Sequence, residues 1–210
     1  MSEHTIETPY GPGRLVQRRA AHPVATLLLS HGAGGGIDGR DLQALARSLP
    51  SRGISVLLFE QPWKVAGKPL ASPPKTLDAG LRAVADHLRV RTPLIVGGRS
   101  AGARSACRQA KELGAVGCLA LAFPLHPPGK PERSRLDELA GTRLPTLVVQ
   151  GEKDPFGKPE EFPSLPRTEL YPVAYADHGF KLPVRLRDGE IEMLAGIVDR
   201  VEEWTRRLVG

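Results

Sequence analysis

The chain of 210 residues has little cysteine, few aromatic side chains and no long apolar run. Its only cysteines, Cys107 and Cys118, exclude a disulfide framework and are typical of a reducing compartment. The apolar runs, such as residues 24–29, fall far short of the ~20 residues that cross a bilayer. The first residues contain neither a basic region nor an apolar stretch, so we expect no signal peptide, no membrane partner and a cytoplasmic location.

Clustered basic charge is also scarce, although the net charge is +6 at pH 7. Lysine and arginine are interleaved with acidic residues, and only Arg18-Arg19 and Arg206-Arg207 form tight pairs. A nucleic-acid surface usually needs basic residues on one face, so we expect no nucleic-acid partner. No Cys/His cluster has the spacing of a metal site, and we expect neither a metal nor a cofactor.

The remaining composition, 40% hydrophobic and 25% charged, is that of a globular domain. Short apolar runs alternate with helical patterns, which predicts one α/β domain over residues 1–210 with a mostly parallel sheet and helices on both faces. Predicted strands cover residues 24–30, 54–59, 94–97, 116–122, 147–150 and 169–173, and predicted helices lie near 42–49, 77–88, 105–113 and 191–208. A proline-rich crossover at 124–142, with a short charged helix near 133–139, could overhang a site.

The segment Gly98-Arg99-Ser100-Ala101-Gly102 follows a predicted strand and opens a helix. This is the context of a nucleophile elbow, in which a sharp turn exposes a serine and leaves room only for very small residues two positions away on each side. A chance glycine–serine turn is the alternative. Ser100 is therefore the candidate nucleophile.

A serine nucleophile needs a base, and the base needs an orienting acid. His178 follows the last predicted strand, where this architecture places its base, although a surface histidine is the alternative. Asp154 lies at the C-terminal end of the predicted strand at 147–150 and is the candidate acid. An ordinary turn aspartate before proline is the alternative. Asp177 is adjacent to His178 and has no geometry to reach its ring, and Glu152 lies in the wrong phase of the turn.

The third component of a serine-hydrolase site is an oxyanion hole, in which backbone amides stabilise the negatively charged oxygen. We expect one from Ala101, directly after the nucleophile, and one from the loop that follows the strand at 24–30. That loop reads His-Gly-Ala-Gly-Gly-Gly at 31–36, and Ala33 is the better choice, with Gly34 as runner-up. The glycine run lacks the Lys-Ser/Thr ending of a phosphate loop, so nucleotide binding is not expected.

Five segments, at 28–35, 97–104, 123–131, 150–157 and 177–180, together resemble a small α/β-hydrolase of the dienelactone-hydrolase-like group. More narrowly, they resemble a short subfamily that includes hydrolase-like domains of a eukaryotic chromatin-complex subunit. The resemblance implies Ser100, Asp154 and His178 as a catalytic triad. It also implies a roughly eight-stranded sheet without a large cap domain, and here the N-terminal strands look shortened, with 14–18 as a remnant.

Several further residues, and Gly34 with them, are candidates for contact with a substrate. Phe123 and His126 follow a strand at the expected site edge, and Trp63 follows another. For His126 a structural role in the loop is the favoured alternative, and for Trp63 a buried or rim position without a ligand role is as plausible. Arg99 could meet an acidic substrate group, but an ordinary ion pair is the simpler interpretation.

These observations predict a serine hydrolase that cleaves an ester or thioester of a small or medium acyl substrate, as a monomer or small homo-oligomer. Two alternatives stay open. One is a non-catalytic binding or scaffold protein on the same fold. The other is an acyl transferase or perhydrolase that uses the same triad.

Overall fold

A computed structural model describes residues 2–69 and 73–210 of the chain. Its strands are β1 Ser2–Thr8, β2 Gly11–Arg18, β3 Ala25–Ser30, β4 Ile54–Glu60, β5 Leu94–Arg99, β6 Gly117–Leu121, β7 Thr146–Gly151 and β8 Thr168–Val173. Its α-helices are α1 Arg40–Ser48, α2 Pro62–Val65, α3 Pro74–His87, α4 Ala101–Gln109, α5 Leu136–Ala140 and α6 Glu190–Val209. Short 3-10 helices cover Leu49–Arg52, Pro159–Glu161 and Val184–Gly189. The expected alternation of strands and helices is confirmed.

All eight strands form one sheet in the order β1-β2-β4-β3-β5-β6-β7-β8. β2 runs antiparallel to β1 and β4, and every other pairing is parallel. The chain moves from β3 to β4 on one side and returns to β5 on the other, so Ser30 pairs with both Phe59 and Gly98. Loops that diverge at such a switch point leave a crevice at the carboxyl ends of the strands.

The N-terminal strands correct one expectation. β1 and β2 are seven and eight residues long and pair over their whole length, from Ser2 opposite Gln17 to Thr8 opposite Gly11, so the expectation of shortened N-terminal strands is wrong. β1 is an edge strand and buries only Ile6. Its sequence therefore lacks the apolar run by which the central strands could be found.

Both faces of the sheet are covered, which explains why the central strands are apolar throughout. Leu27 and Leu29 of β3 pack in a core with α1 and α6, whereas the intervening Leu28 packs in a second core with α3 and α4. All three leucines are completely buried. The sheet is thus fixed between two helical layers, and its strand ends are held in place for a site.

The crossover between β6 and β7 packs against helix α4 and the loop after β7. Glu138 of α5 pairs with Arg104 and Arg108 of α4 at 2.6 and 3.0 Å. The backbone amide of His126 donates to the Phe156 carbonyl at 3.0 Å. Within residues 2–69 and 73–210, no helix combines the length and the apolar character needed to cross a membrane.

Candidate active site

Ser100 lies in the turn between β5 and α4, with φ 53° and ψ −113°. A residue with a side chain rarely adopts this region, and such strain is typical of functional turns. A methyl group on Gly98 would lie 2.6 Å from the Ser30 carbonyl oxygen, and one on Gly102 would lie 2.5 Å from the same atom. The turn therefore packs directly on the end of β3, and the glycines two positions before and after Ser100 are required by space.

A chain of hydrogen bonds connects Ser100 to two residues from distant loops. His178, in the loop after β8, places its Nε2 3.0 Å from Ser100 Oγ. Its Nδ1 lies 2.7 Å from Oδ2 of Asp154, in the loop after β7. Because a carboxylate only accepts hydrogen bonds, Nδ1 carries the proton and Nε2 is free to accept the serine hydroxyl. The three residues predicted from the sequence are thus brought into one hydrogen-bonded chain.

The Asp154 carboxylate is completely buried and accepts three hydrogen bonds. Besides His178, the Gln150 side-chain amide donates to Oδ2 at 2.9 Å and the Phe156 backbone amide donates to Oδ1 at 2.8 Å. The same Gln150 amide nitrogen also donates to the Gly157 carbonyl at 2.7 Å, which fixes its orientation. The contacts with Gln150 and Phe156 therefore fix the orientation of the Asp154 carboxylate.

Sequence reasoning missed both of these neighbours of the triad. Gln150 is an interior residue of β7, and no motif distinguishes it from other strand residues. The Phe156 ring also lies against the His178 ring, with centroids 4.3 Å apart at 33°. Its position directly after the Asp154-Pro155 turn is the only sequence signal for this contact.

The other nearby carboxylates bond to main-chain amides. Asp177 Oδ1 accepts from the amides of Gly179 and Lys181 at 2.7 and 2.9 Å, and so stabilises the turn that carries His178. Glu152 accepts from the Tyr175 amide at 3.1 Å. These contacts agree with the expectation that neither residue orients the His178 ring.

The loop after β3 is fixed next to the serine. A methyl group on Gly32 would lie 3.1 Å from Ser100 Cβ. His31 Nε2 accepts the backbone N–H of Gln61 at 3.0 Å, so Nδ1 carries the proton and donates to the Gly32 carbonyl at 2.9 Å. Burial lowers the pKa of His31, which favours this neutral form.

The two expected oxyanion donors lie on either side of this contact. Ala33 directly follows Gly32, and Ala101 is the first residue of α4, where an amide has no acceptor within its own helix. A methyl group on Gly34 would meet nothing within 4 Å, so the loop beyond Ala33 is open. Both amides stay candidates, with Gly34 as the runner-up.

Two of the residues predicted to contact a substrate, Phe123 and Trp63, are buried. Phe123 is fully buried and packs against the edge of Phe162, so this packing gives no support to its predicted contact with a substrate, which stays a prediction. Ala122, with φ 46°, turns the chain inward at this point. Trp63 is also buried, with its ring 5.3 Å from that of His31, and lies behind the loop after β3.

His126 has a bracing role in the loop, which was the favoured alternative. Its Nε2 lies 2.8 Å from Glu161 and its Nδ1 lies 2.9 Å from the Pro127 carbonyl. The carbonyl and the carboxylate raise the pKa of His126. Together with the bond from its backbone to Phe156, this side chain braces the loop that carries Asp154.

A family model described as an alpha/beta hydrolase domain matches residues 23–206. The chain belongs to the α/β-hydrolase family. This hydrolase has no match among curated proteins. In residues 2–69 and 73–210 it contains no group of three or more His, Cys, Asp or Glu side chains placed to hold a metal ion.

Solved structures resemble this α/β hydrolase over nearly its whole length. A dienelactone hydrolase from Anabaena variabilis is 17% identical with a TM-score of 0.75, covering 100% of this chain and 99% of its own. An alpha-beta serine hydrolase homologue from Coxiella burnetii is 18% identical with a TM-score of 0.74, covering 95% and 97%. An a/b serine hydrolase without lid from Xanthomonas campestris is 22% identical with a TM-score of 0.68, covering 93% and 94%. At these identities the likeness concerns the fold.

Proposed function

We propose that this α/β hydrolase is a serine hydrolase that cleaves an ester or thioester of a small or medium acyl substrate. The observation that carries the proposal is the hydrogen-bonded chain from Asp154 through His178 to Ser100, at 2.7 and 3.0 Å, on a strained turn. A binding protein would have no need of this proton path. The intact arrangement therefore favours catalysis over a scaffold role.

The geometry supports a two-step acyl transfer. Ser100 Oγ attacks the carbonyl carbon while His178 Nε2 takes the hydroxyl proton, and the oxygen that gains negative charge meets the amides of Ala33 and Ala101. His178 then returns the proton to the leaving alcohol or thiol. Water then gives a proton to His178 and attacks the acyl-enzyme, and His178 passes that proton to Ser100 Oγ as the acid is released. Asp154 keeps its charge throughout and stabilises the imidazolium.

The accessibility of the triad supports a free small-molecule substrate. Ser100 is half-buried, and 21% of the His178 side chain is exposed. The fold neighbour from Xanthomonas campestris is described as lacking a lid, and we infer a similarly open site here. The two cysteines are free and buried, in agreement with a cytoplasmic location. An acyl acceptor other than water would make the same site an acyl transferase or perhydrolase.

The test is labelling with a fluorophosphonate probe, mapped by mass spectrometry, alongside turnover of an activated short-chain ester. We expect the probe on Ser100, and Ser100→Ala to lose labelling and turnover. Ser51→Ala is the matched control, because Ser51 is exposed and bonds only the Ser48 carbonyl in its own turn. A folded wild type that stays unlabelled while a control esterase reacts would refute the proposal.

A further inference from the structure

We infer that Arg99 and Asp41 form a positioning pair that holds the backbone of His178 in place for its reaction with Ser100. The inference rests on the proposed function and adds two residues to its machinery. Neither touches the reacting atoms. Their effect is exerted through the loop that carries the base.

Arg99 connects the nucleophile turn to the base. It is the last residue of β5, directly before Ser100, and its side chain is 21% exposed. Its Nη2 donates to the backbone carbonyl of His178 at 2.8 Å. The same guanidinium places Nε 3.5 Å from Oδ2 of Asp41. One planar group at the end of β5 therefore contacts both the loop after β8 and the first turn of α1.

Burial of the Asp41 carboxylate has a cost in folding free energy. It lies in the first turn of α1, is completely buried, and neither carboxylate oxygen has a hydrogen-bond partner among the described residues. Burial raises the pKa of Asp41, and the charge of Arg99, followed by the nearby backbone amides of Leu42 and Asp41 at the start of α1, opposes that rise. A buried carboxylate is tolerated when a cation accompanies it, and such pairs are weak sources of stability. Its location beside the triad indicates a purpose other than stability.

The pair also lies against the loop that carries Ala33. A methyl group on Gly39 would be 3.1 Å from Asp41 Oδ1 and 3.8 Å from Arg99 Nη1. On the other side, a methyl group on Gly179 would be 3.6 Å from Arg99 Nη2. Gly39, at the end of the loop after β3, and Gly179, in the loop that carries His178, thus both pack against the Arg99 guanidinium. We expect a displacement of this group to move the His178 loop relative to Ser100.

The contacts argue against the simpler idea that Arg99 binds an acidic substrate. Both Nε and Nη2 are directed at protein groups, and most of the side chain is buried. The two roles differ in their kinetic consequences. A substrate-binding arginine acts on KM for anionic esters, whereas a positioning residue acts on kcat for neutral esters as well.

The experiment compares Arg99→Gln, Arg99→Lys and Asp41→Asn with the wild type on a neutral activated ester. We expect Arg99→Gln to lower kcat by about 10- to 100-fold with KM changed less than about 2-fold, because a displacement near 1 Å costs about that much. Fluorophosphonate labelling should slow by the same factor. Arg99→Lys should recover part of the rate, because an ammonium can reach the carbonyl or the carboxylate but lacks the planar fork.

A double variant tests whether the residues act together. If they form one unit, Arg99→Gln/Asp41→Asn should be no slower than Arg99→Gln alone, which is the non-additivity expected of coupled sites. Arg104→Gln is the matched control, since Arg104 lies on α4 and pairs with Glu138, away from His178. It should keep the wild-type kcat.

Hydrogen exchange gives a readout that does not depend on activity. The amides of Asp177 and Phe180 are bonded within the His178 turn, and they should exchange faster in Arg99→Gln but not in Arg104→Gln. A wild-type kcat in Arg99→Gln, an effect confined to KM, or equal losses in Arg104→Gln would overturn the inference. Unchanged exchange would overturn it even for a chain that no probe labels, whereas absent wild-type labelling alone would refute only the hydrolase proposal.

Discussion

Replacement of Asp154 by asparagine tests the site most sharply, because the shape of the side chain is kept while its charge and one acceptor are lost. Three donors converge on the carboxylate, from His178, Gln150 and Phe156. An amide has one accepting and one donating end, so it cannot satisfy all three. Each of its two orientations creates a conflict between donors.

The two orientations damage the site in different ways. If the new nitrogen faces His178, it opposes the Gln150 amide and forces the imidazole to accept at Nδ1, so that Nε2 carries the proton and cannot serve as base. Gln150 cannot relieve the conflict by rotating, because its nitrogen also bonds the Gly157 carbonyl. If the nitrogen faces the Phe156 amide instead, the imidazole keeps its tautomer but loses the charge that stabilises the imidazolium.

We therefore expect Asp154→Asn to lower kcat by about 10⁴-fold, the loss seen for the same change in a comparable triad. At 1.36 kcal/mol for each factor of ten, this is a loss of about 5 kcal/mol in transition-state stabilisation. The unmatched buried donor should also lower the free energy of unfolding by about 1–3 kcal/mol. A folded but inactive protein is thus the expected product.

The assay is turnover of an activated short-chain ester by Asp154→Asn, Asp177→Asn and Glu152→Gln, each checked for folding by circular dichroism. The two controls remove charge from neighbouring turns whose carboxylates bond backbone amides, so we expect mild effects on kcat. A crippled Asp177→Asn beside a near-normal Asp154→Asn would show that the acid is assigned to the wrong residue.

Three further outcomes are expected. Gly102→Ala should cost about 1–3 kcal/mol of unfolding free energy in urea, because its methyl group would lie 2.5 Å from the Ser30 carbonyl oxygen, whereas Gly35→Ala, which meets nothing within 4 Å, should cost little. The pKa of His126 is raised above its ordinary 6.5, so protonated His126 stabilises the folded protein fully below pH 6.5, and this stabilisation is lost as pH rises through the folded-state pKa. The difference in unfolding free energy between the wild type and His126→Gln should therefore be larger near about pH 5.5 than near about pH 8.5. A difference that does not change with pH would contradict this prediction. A chelator should leave ester turnover unchanged, and loss restored by one divalent metal would contradict the mechanism.

The sequence predicts the central sheet well because β3, β4 and β7 are buried on both faces and appear as apolar runs. The nucleophile is predictable from the sequence for a different reason. The backbone at the Ser100 turn packs so closely against the end of β3 that positions 98 and 102 have room only for glycine. These two glycines can be recognised in the sequence itself.

The parts that could not be predicted depend on contacts across the fold. The path of the chain after β6 depends on the left-handed conformation of Ala122, which no local pattern indicates. The sequence therefore predicts Phe123 at the site, although its side chain lies in the core. Asp41 has the sequence signature of an ordinary first-turn acid in a helix. Only the fold brings it beside Arg99.

Three polar side chains near Ser100, those of His31, Gln150 and His178, share one property, which is that the hydrogen-bond partners of each fix its protons in one arrangement. His31 must accept from a backbone amide and therefore donates from Nδ1, and His178 must donate to a carboxylate and therefore accepts at Nε2. Gln150 has its nitrogen fixed by two acceptors. A site whose proton positions are set by obligate partners needs no rearrangement before the serine proton moves, and this preorganisation is what lowers the barrier in an acyl transfer.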